Sequence, residues 1–344
     1  MRPAALAATI AAIGETAAMP IARRQMATLA ASLLAAPALA PDALAQWAPS
    51  RQVRLIVPFS PGGGADTTAR LFAPAFTAFL GQPAVVENRT GAGGTIGAAE
   101  VARAAPDGTT LLVDAANQAV NQALFRGLPF DYVTGFTPIS RVTVYPLLLV
   151  VRPESPYRSF EALLAKARAE PGRLTYSSSG NGISNHIATA VLADRAKVEF
   201  SHVPYRGGGP ALAAVLAGDV DFGFATVASA AALAQEGRLR PLAASSASRI
   251  PTLPEIPTVA QLGFPGYDQT EWNGLYGPAG LPPAIAERLY EACQAALRDP
   301  KVTERLTALG ALALGNSPAE FADFLKRERS AMARLVLEAN ITAD

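Results

Sequence analysis

One cysteine in 344 residues excludes an internal disulfide and leaves no second thiolate to share a metal. Cys293 sits in AERLYEACQAALRD, four residues after Leu289 and four before Leu297. That spacing places it on the apolar face of a helix, as a buried thiol rather than a nucleophile. Histidine is almost as scarce. His186 follows Asn185 near a helix start and His202 lies in an apparent strand, so neither stands at a metal-ligand spacing from the other, and no cofactor is expected. An excess of one charge is missing too: Lys+Arg number 29 against Asp+Glu 28, with no basic block, which argues against nucleic acid and anionic membrane as partners.

Catalytic motifs are absent in the same way. PGGGADT lacks the lysine of GxxxxGK and the spacing of GxGxxG, and no GxSxG elbow surrounds Ser177–Ser179. Asp219 and Asp221 in AGDVDFGF fall at a turn and a strand start. Nothing gathers a base, a nucleophile and an oxyanion site, so the chain reads as a binding protein and not an enzyme.

What is present is a globular composition, 50% hydrophobic and 17% charged, in a chain long enough for two lobes with separate cores. Residues 1–45 are expected to be an export signal: Arg23 and Arg24 precede an Ala/Leu stretch, and small residues at Ala43 and Ala45 precede Gln46. Cleavage after Ala40, a retained anchor and a twin-arginine route are the alternatives. Removing this segment takes away Arg2, Arg23, Arg24, Glu15 and Asp42, leaving 26 residues of each charge.

Along the rest, strands alternate with helices of about ten residues, the pattern of a largely parallel sheet covered on both faces. VRLIVPF, Val53 to Phe59, is followed by Gly62–Gly64 and a helix carrying Phe72, Phe76 and Phe79, which Pro74 should bend or split. A second glycine turn, Gly91–Gly94, follows the strand Pro83 to Arg89. YPLLLVV, inside 136–151, is long enough to cross between lobes. Ser177–Gly182 and Gly207–Gly209 repeat the strand, glycine turn and helix arrangement, and Trp272 to Gly277 reads as a second crossing strand. Helices are expected at Pro283 to Leu297, Lys301 to Leu309 and Pro318 to about Asn340, the last opened by a Ser317/Glu320 capping box. The resulting lobes are 46–150 plus 272–344, and 151–271.

In open α/β sheets ligands bind beyond the carboxyl ends of the strands, where amides and helix N-termini point outward. The four glycine turns fall there, and together they suit a carboxylate held without a committed cation. Taken singly, each turn is equally the bend that glycine permits. Gly93 belongs to the second turn. Asp66 either caps its helix or meets a ligand amino or hydroxyl group, while Ser178, Ser179 and Asn181 can donate or accept at the rim.

VPFSPGGGADTTAR (57–70), VVENRTGAGGTIGAAEVARAAPDGTTLL (85–112), YSSSGNGISNH (176–186), VPYRGGGPALAAVLAGDVDFGF (203–224) and WNGLYGPAGLP (272–282) resemble the tripartite tricarboxylate transporter substrate-binding proteins, the Bordetella uptake gene or Bug family. The resemblance implies a periplasmic binding protein of the type 2 fold, two α/β lobes joined by two crossing segments. It implies that a small carboxylate is captured between the lobes and delivered to membrane permease subunits by a monomeric receptor. Residue by residue, it implies that Ser60, Gly63 and Gly64 lie near one carboxylate and that Asp66 holds the loop or meets an ammonium. Ser178, Ser179 and Asn181 form the second-lobe loop, with His186 on the next helix. Tyr205, Arg206 and Gly207 form the opposite wall, and Phe59 lines the pocket. Arg206 stands where lysine is more usual in the family, and its fork can serve a carboxylate or a contact between lobes. The other functional reading is a ligand sensor that presents its closed form to a membrane kinase, and the remote one is a secreted hydrolase using Ser178. Phe59, Tyr205, Phe224 and Trp272 do not separate aromatic from aliphatic acids.

Overall fold

Strand β1, Val53–Val57, buries all of its residues except the half-buried Arg54, as a short β-branched run in a covered sheet should. A computed structural model describes residues 47–338 and Ile341, so the expected export signal, 1–45, lies outside the described residues. Helix α1, Gly64–Leu80, follows β1 across the glycine turn and ends on Gly81 in the left-handed region. Pro74 neither splits nor ends it. The proline is exposed, so its ring meets solvent rather than the core, while Phe72 and Phe76 anchor both flanks in the core.

Strand β2 (Ala84–Asn88), helix α2 (Thr95–Ala102), strand β3 (Thr110–Asp114) and helix α3 (Asn117–Leu124) complete the first run. Strand β4, Phe136–Val151, then serves both lobes. Helix α4 (Phe160–Ala169), β5 (Thr175–Ser178), α5 (Ser184–Ala196), β6 (Ser201–Pro204), α6 (Gly208–Ala217), β7 (Phe222–Thr226), α7 (Val227–Gln235) and β8 (Arg240–Ala244) build the second lobe. Strand β9 (Thr270–Pro278), helices α8 (Pro283–Arg298) and α9 (Pro300–Ala308), the short β10 (Leu312–Ala313) and helix α10 (Pro318–Glu338) return to the first.

The strands of the described residues form one curled sheet in the order β2-β1-β3-β9-β4-β7-β5-β6, with β8 and β10 also on β4. Within each lobe the βαβ units pair in parallel, β1 with β2 and β3, and β5 with β6 and β7. The expected largely parallel sheet therefore holds only there, because β4 and β9 run antiparallel to their neighbours. Along β4, Phe136 to Pro146 pair with β9, and Leu147 to Val151 pair with β7 and β8. Its alternating side chains feed two cores: Leu148 and Val150 join Phe72 and Phe76, whereas Leu147 and Leu149 join Phe160, Phe222 and Phe224. Full burial of each such side chain is worth roughly 1.5–3 kcal/mol.

Strand β9, which holds Trp272 to Gly277, pairs with β3 and β4, and before it Ser245 is stitched to two passing segments. Leu147 N–H donates to Ser245 Oγ and Ser245 N–H to Leu147 O, each at 2.9 Å, while Gln269 N–H donates to Ser245 O at 2.9 Å. Helix α8 buries Leu289 and Cys293 with Phe76 and Leu80, and α10 packs Phe321 and Leu325 on Trp272 and Tyr276. Burial pushes the Cys293 thiol up, far from a reactive value. The Ser317/Glu320 capping box is formed, with Ser317 N–H donating to Glu320 Oε2 at 2.9 Å and Glu320 N–H to Ser317 Oγ at 3.3 Å.

Candidate functional site

Four turns leave their strands toward one region, and each is held by a different device. In the first, Gly62 has φ 92°, and Gly63 opens α1 with no side-chain cap of its own. Asp66 supplies the restraint by reaching back. Its carboxylate accepts from Gly62 N–H at 3.0 Å, Arg70 Nε at 2.9 Å and Asn88 Nδ2 at 2.9 Å. Burial alone would raise its pKa, but the hydrogen bonds from Arg70, Asn88 and Gly62 outweigh it and hold the carboxyl below the ordinary range. Asp66 is thus engaged beneath the turn.

The second turn, Gly91–Gly94, rests on α3. Asn121 Nδ2 donates to Gly93 O and to Tyr132 Oη, both at 3.0 Å. Any side chain at Gly93, whose φ is 58°, would strike the Phe125 ring at 2.8 Å. The third turn, Ser178–Gly182, is tied to two histidines. Ser178 Oγ lies 2.6 Å from His202 Nε2 and also accepts from Gly180 N–H at 3.2 Å, while Gly182 N–H donates to His186 Nδ1 at 3.0 Å. The imidazoles stack with centroids 4.0 Å apart, and Tyr176 covers His202. Burial lowers the pKa of His186 to about 3, helped by His202, and that of His202 to about 4, so both rings are neutral. Among the described residues no carboxylate hydrogen-bonds His202, and no cluster of His, Cys, Asp and Glu suits a metal.

The fourth turn, Tyr205–Gly209, meets the first across the lobes. Ser60 N–H and Ser60 Oγ both donate to Arg206 O, at 3.2 and 2.5 Å. The approach depends on missing side chains: a Cβ on Gly207 would sit 2.8 Å from Ser60 N, and one on Gly209 would sit 2.8 Å from Pro61 O.

Two cavities result. An outer cleft of about 190 Å³ is lined by Phe59, Gly93, Ser179, Asn181, Tyr205 and Arg206, with Gly180 and Phe125 beside them. Arg206 is its one charged lining residue. A narrower inner space of about 20 Å³, room for one water-sized particle, is lined by Gly63, Gly208, Ser179, Asn185, Thr226 and Glu271. Ser179 borders both. The candidate residues thus separate by position. Phe59, Gly93, Ser179, Asn181, Tyr205 and Arg206 share the cleft, and Gly63 faces the inner space. Ser60 and Gly207 form the contact between lobes, and Gly64 lies against Glu271 and Tyr145. Asp66, Ser178 and His186 brace turns from below.

Sequence reasoning passed over Glu271, Asn185, Asn121 and Phe125. For Glu271 a signal existed: it is the one charged residue of a strand, TEWNGLYGP, that is buried from Glu271 to Pro278. Its neighbour in the pairing register is Tyr145, and burial pushes its carboxyl up to about 7 despite a hydrogen bond from Asn273.

The arrangement, a cleft between two lobes walled by glycine turns and carrying one guanidinium, suits an anion. Residues 68–341 match the model of the tripartite tricarboxylate transporter family receptor. The chain is 34% identical to BugT of Bordetella pertussis over 292 residues, 84% of this chain and 90% of that protein. Among solved structures, MatC of Rhodopseudomonas palustris with bound malate is 34% identical with a TM-score of 0.80, covering 84% of this chain and 99% of its own. A second protein from R. palustris, solved with adipate, is 33% identical with a TM-score of 0.82, covering 86% and 99%. No helix among the described residues is long and apolar enough to cross a membrane.

Proposed function

The chain belongs to the tripartite tricarboxylate transporter receptor family, the Bug group of periplasmic solute-binding proteins, and on that premise we propose that it captures a small carboxylate between its lobes for delivery to membrane permease subunits. The observation that carries this reading is the outer cleft, whose walls come from turns of both lobes and which Arg206 lines with a guanidinium. The malate and adipate held by two relatives are anions of a size this cleft can take. The ligand carboxylate meets the first-lobe turns around Phe59, Ser60, Gly63, Gly64 and Gly93. The second lobe then completes its hydrogen bonds through Ser178–Asn181 and Tyr205–Gly207. Asp66 and His186 keep these turns in shape.

In this reading the lobes run 46–146 plus 270–344, and 147–269, a few residues from the 46–150 plus 272–344 and 151–271 expected of the sequence, and they move about the joint at Leu147, Ser245 and Gln269. The protein works as a periplasmic monomer and performs no reaction on its ligand. Charge-assisted hydrogen bonds in a closed, dry site contribute roughly 1.5–3 kcal/mol each, which is enough for a few of them to give useful affinity. Isothermal titration with malate, adipate, aromatic acids, neutral amino acids and sugars tests the proposal. Heat of binding is expected from carboxylates, and tight binding confined to uncharged solutes would sink it.

A further inference from the structure

Among the described residues Glu271 is the only titratable one that lines the inner space, and it is 7% exposed. Its carboxyl lies so close to the start of α1 that a side chain on Gly64 would collide with Oε1. The space has walls from both lobes: Gly63 from the first, and Gly208, Leu212, Asn185 and Ser229 from α6, α5 and α7 of the second. None of these elements presents a lysine, arginine or histidine to the space. From β4 the nearest titratable group is the Tyr145 phenol, an uncharged neighbour engaged with Thr68 Oγ1 at 3.1 Å. Parting the lobes would strip away the second-lobe walls and hydrate the carboxyl, and joining them encloses it again without a cation. A carboxylate in such a place, with a hydrogen bond from Asn273 and no cation beside it, is costly, and taking a proton is the inexpensive way out.

We propose that Glu271 couples closure of the two lobes to the uptake of one proton, so that the closed form is favoured in mildly acidic medium and opposed in mildly alkaline medium. The inference rests on the proposed capture by closing lobes and adds a regulation of that same site. The direction follows from the two states. In the open form the carboxyl has the ordinary value near 4.5, and in the closed form burial pushes it up to about 7. A raised value in the closed state means that closure is unimpeded below the lower value and progressively opposed as pH rises through the upper one. Between about pH 5 and pH 8 the closing equilibrium should fall by about tenfold or more. Bound carboxylate adds to this sense, because an ionised Glu271 behind Ser179 repels an anion in the cleft.

Small-angle scattering of the ligand-free protein in buffers without carboxylate tests this. The wild type is expected to show a larger radius of gyration at about pH 8 than at about pH 5. Glu271→Gln, which keeps the shape and cannot ionise, should be compact at both and more compact than the wild type at the higher pH. Equal radii for the two proteins at the higher pH would overturn the proposal. Should the variant fail to fold, a wild-type radius that does not change with pH overturns it as well. No carboxylate ligand enters either measurement, so a failure here is distinct from a failure of carboxylate binding in the titration above.

Discussion

Gly207→Ala should cost the protein its ligand well before it costs the protein its fold. Gly207 has φ 137° and ψ 172°, a region open in practice to glycine alone, and an added Cβ would lie 2.8 Å from Ser60 N and 2.9 Å from Ser60 Cβ on the opposite lobe. The backbone strain, about 1–3 kcal/mol, lowers stability. The collision is different, because it can be relieved by letting the lobes separate, and so it falls on the closed form. Separation breaks both bonds from Ser60 to Arg206 O, at 3.2 and 2.5 Å. At about 1 kcal/mol each, their loss weakens closure by about 2 kcal/mol, or about thirtyfold in ligand affinity. The control is Gly237→Ala, at φ 70° with open space where its Cβ would go, which should lower stability by about 1–2 kcal/mol without touching binding. Titration with malate and adipate alongside thermal unfolding reads both effects. The reasoning is refuted if Gly207→Ala binds within about threefold of the wild type, or if Gly237→Ala loses as much affinity.

Proton spectra of the two imidazoles, the only histidines in the chain, should show both rings still neutral at about pH 5, since burial holds His202 to about 4 and His186 to about 3. Both folded values lie below the unfolded one of about 6.5, so their contribution to stability is complete above that pH and is lost as pH falls through about 4 and about 3; a ring titrating near 6.5 would contradict the stacked geometry. Asp66→Asn should lower stability in urea by about 2 kcal/mol, because an amide in place of the carboxylate sets one N–H donor against those of Gly62, Asn88 or Arg70. Arg70 is half exposed, so screening leaves its ion pair a minor share of that loss. Asp66 has a depressed value, so the wild-type advantage should be present above its ordinary 3.8 and vanish as pH falls further, with an unchanged urea midpoint at neutral pH as the contrary result.

Local chemistry made much of the fold legible. The Ser317/Glu320 box, the proline starts of α8 and α10 and the apolar run YPLLLVV in β4 are each decided by neighbours within a few residues, and each formed where the pattern put it. The direction of strands is not local. Antiparallel β4 and β9 carry the same run of covered apolar residues as the parallel β1 and β3, because burial on both faces erases the alternation that would tell them apart. The stitch at Ser245 was hidden for a related reason. Its hydroxyl and main chain bond to Leu147 and Gln269, and nothing in AASSAS sets that serine apart from its neighbours.

The site divides along the same line. Glycine turns declare themselves because an empty side chain is visible in the sequence, and the contacts at Gly207 with Ser60 and at Gly93 with Phe125 use that emptiness. What the turns lean on is set by register instead. His202 reaches Ser178 because β5 and β6 pair in parallel with Tyr176 beside His202, which brings it onto a ring sixteen positions earlier in the chain, His186. Glu271 reaches the inner space because β9 delivers it beside Tyr145, opposite the start of α1. A carboxyl in that strand is costly for folding alone, since about 25 cal/mol per Å² of apolar burial is forgone and a charge must be neutralised. An apolar residue would serve the sheet better. The presence of an acid at this position is therefore better explained by the movement of the lobes, which alternately wets and encloses it, than by the stability of the closed form.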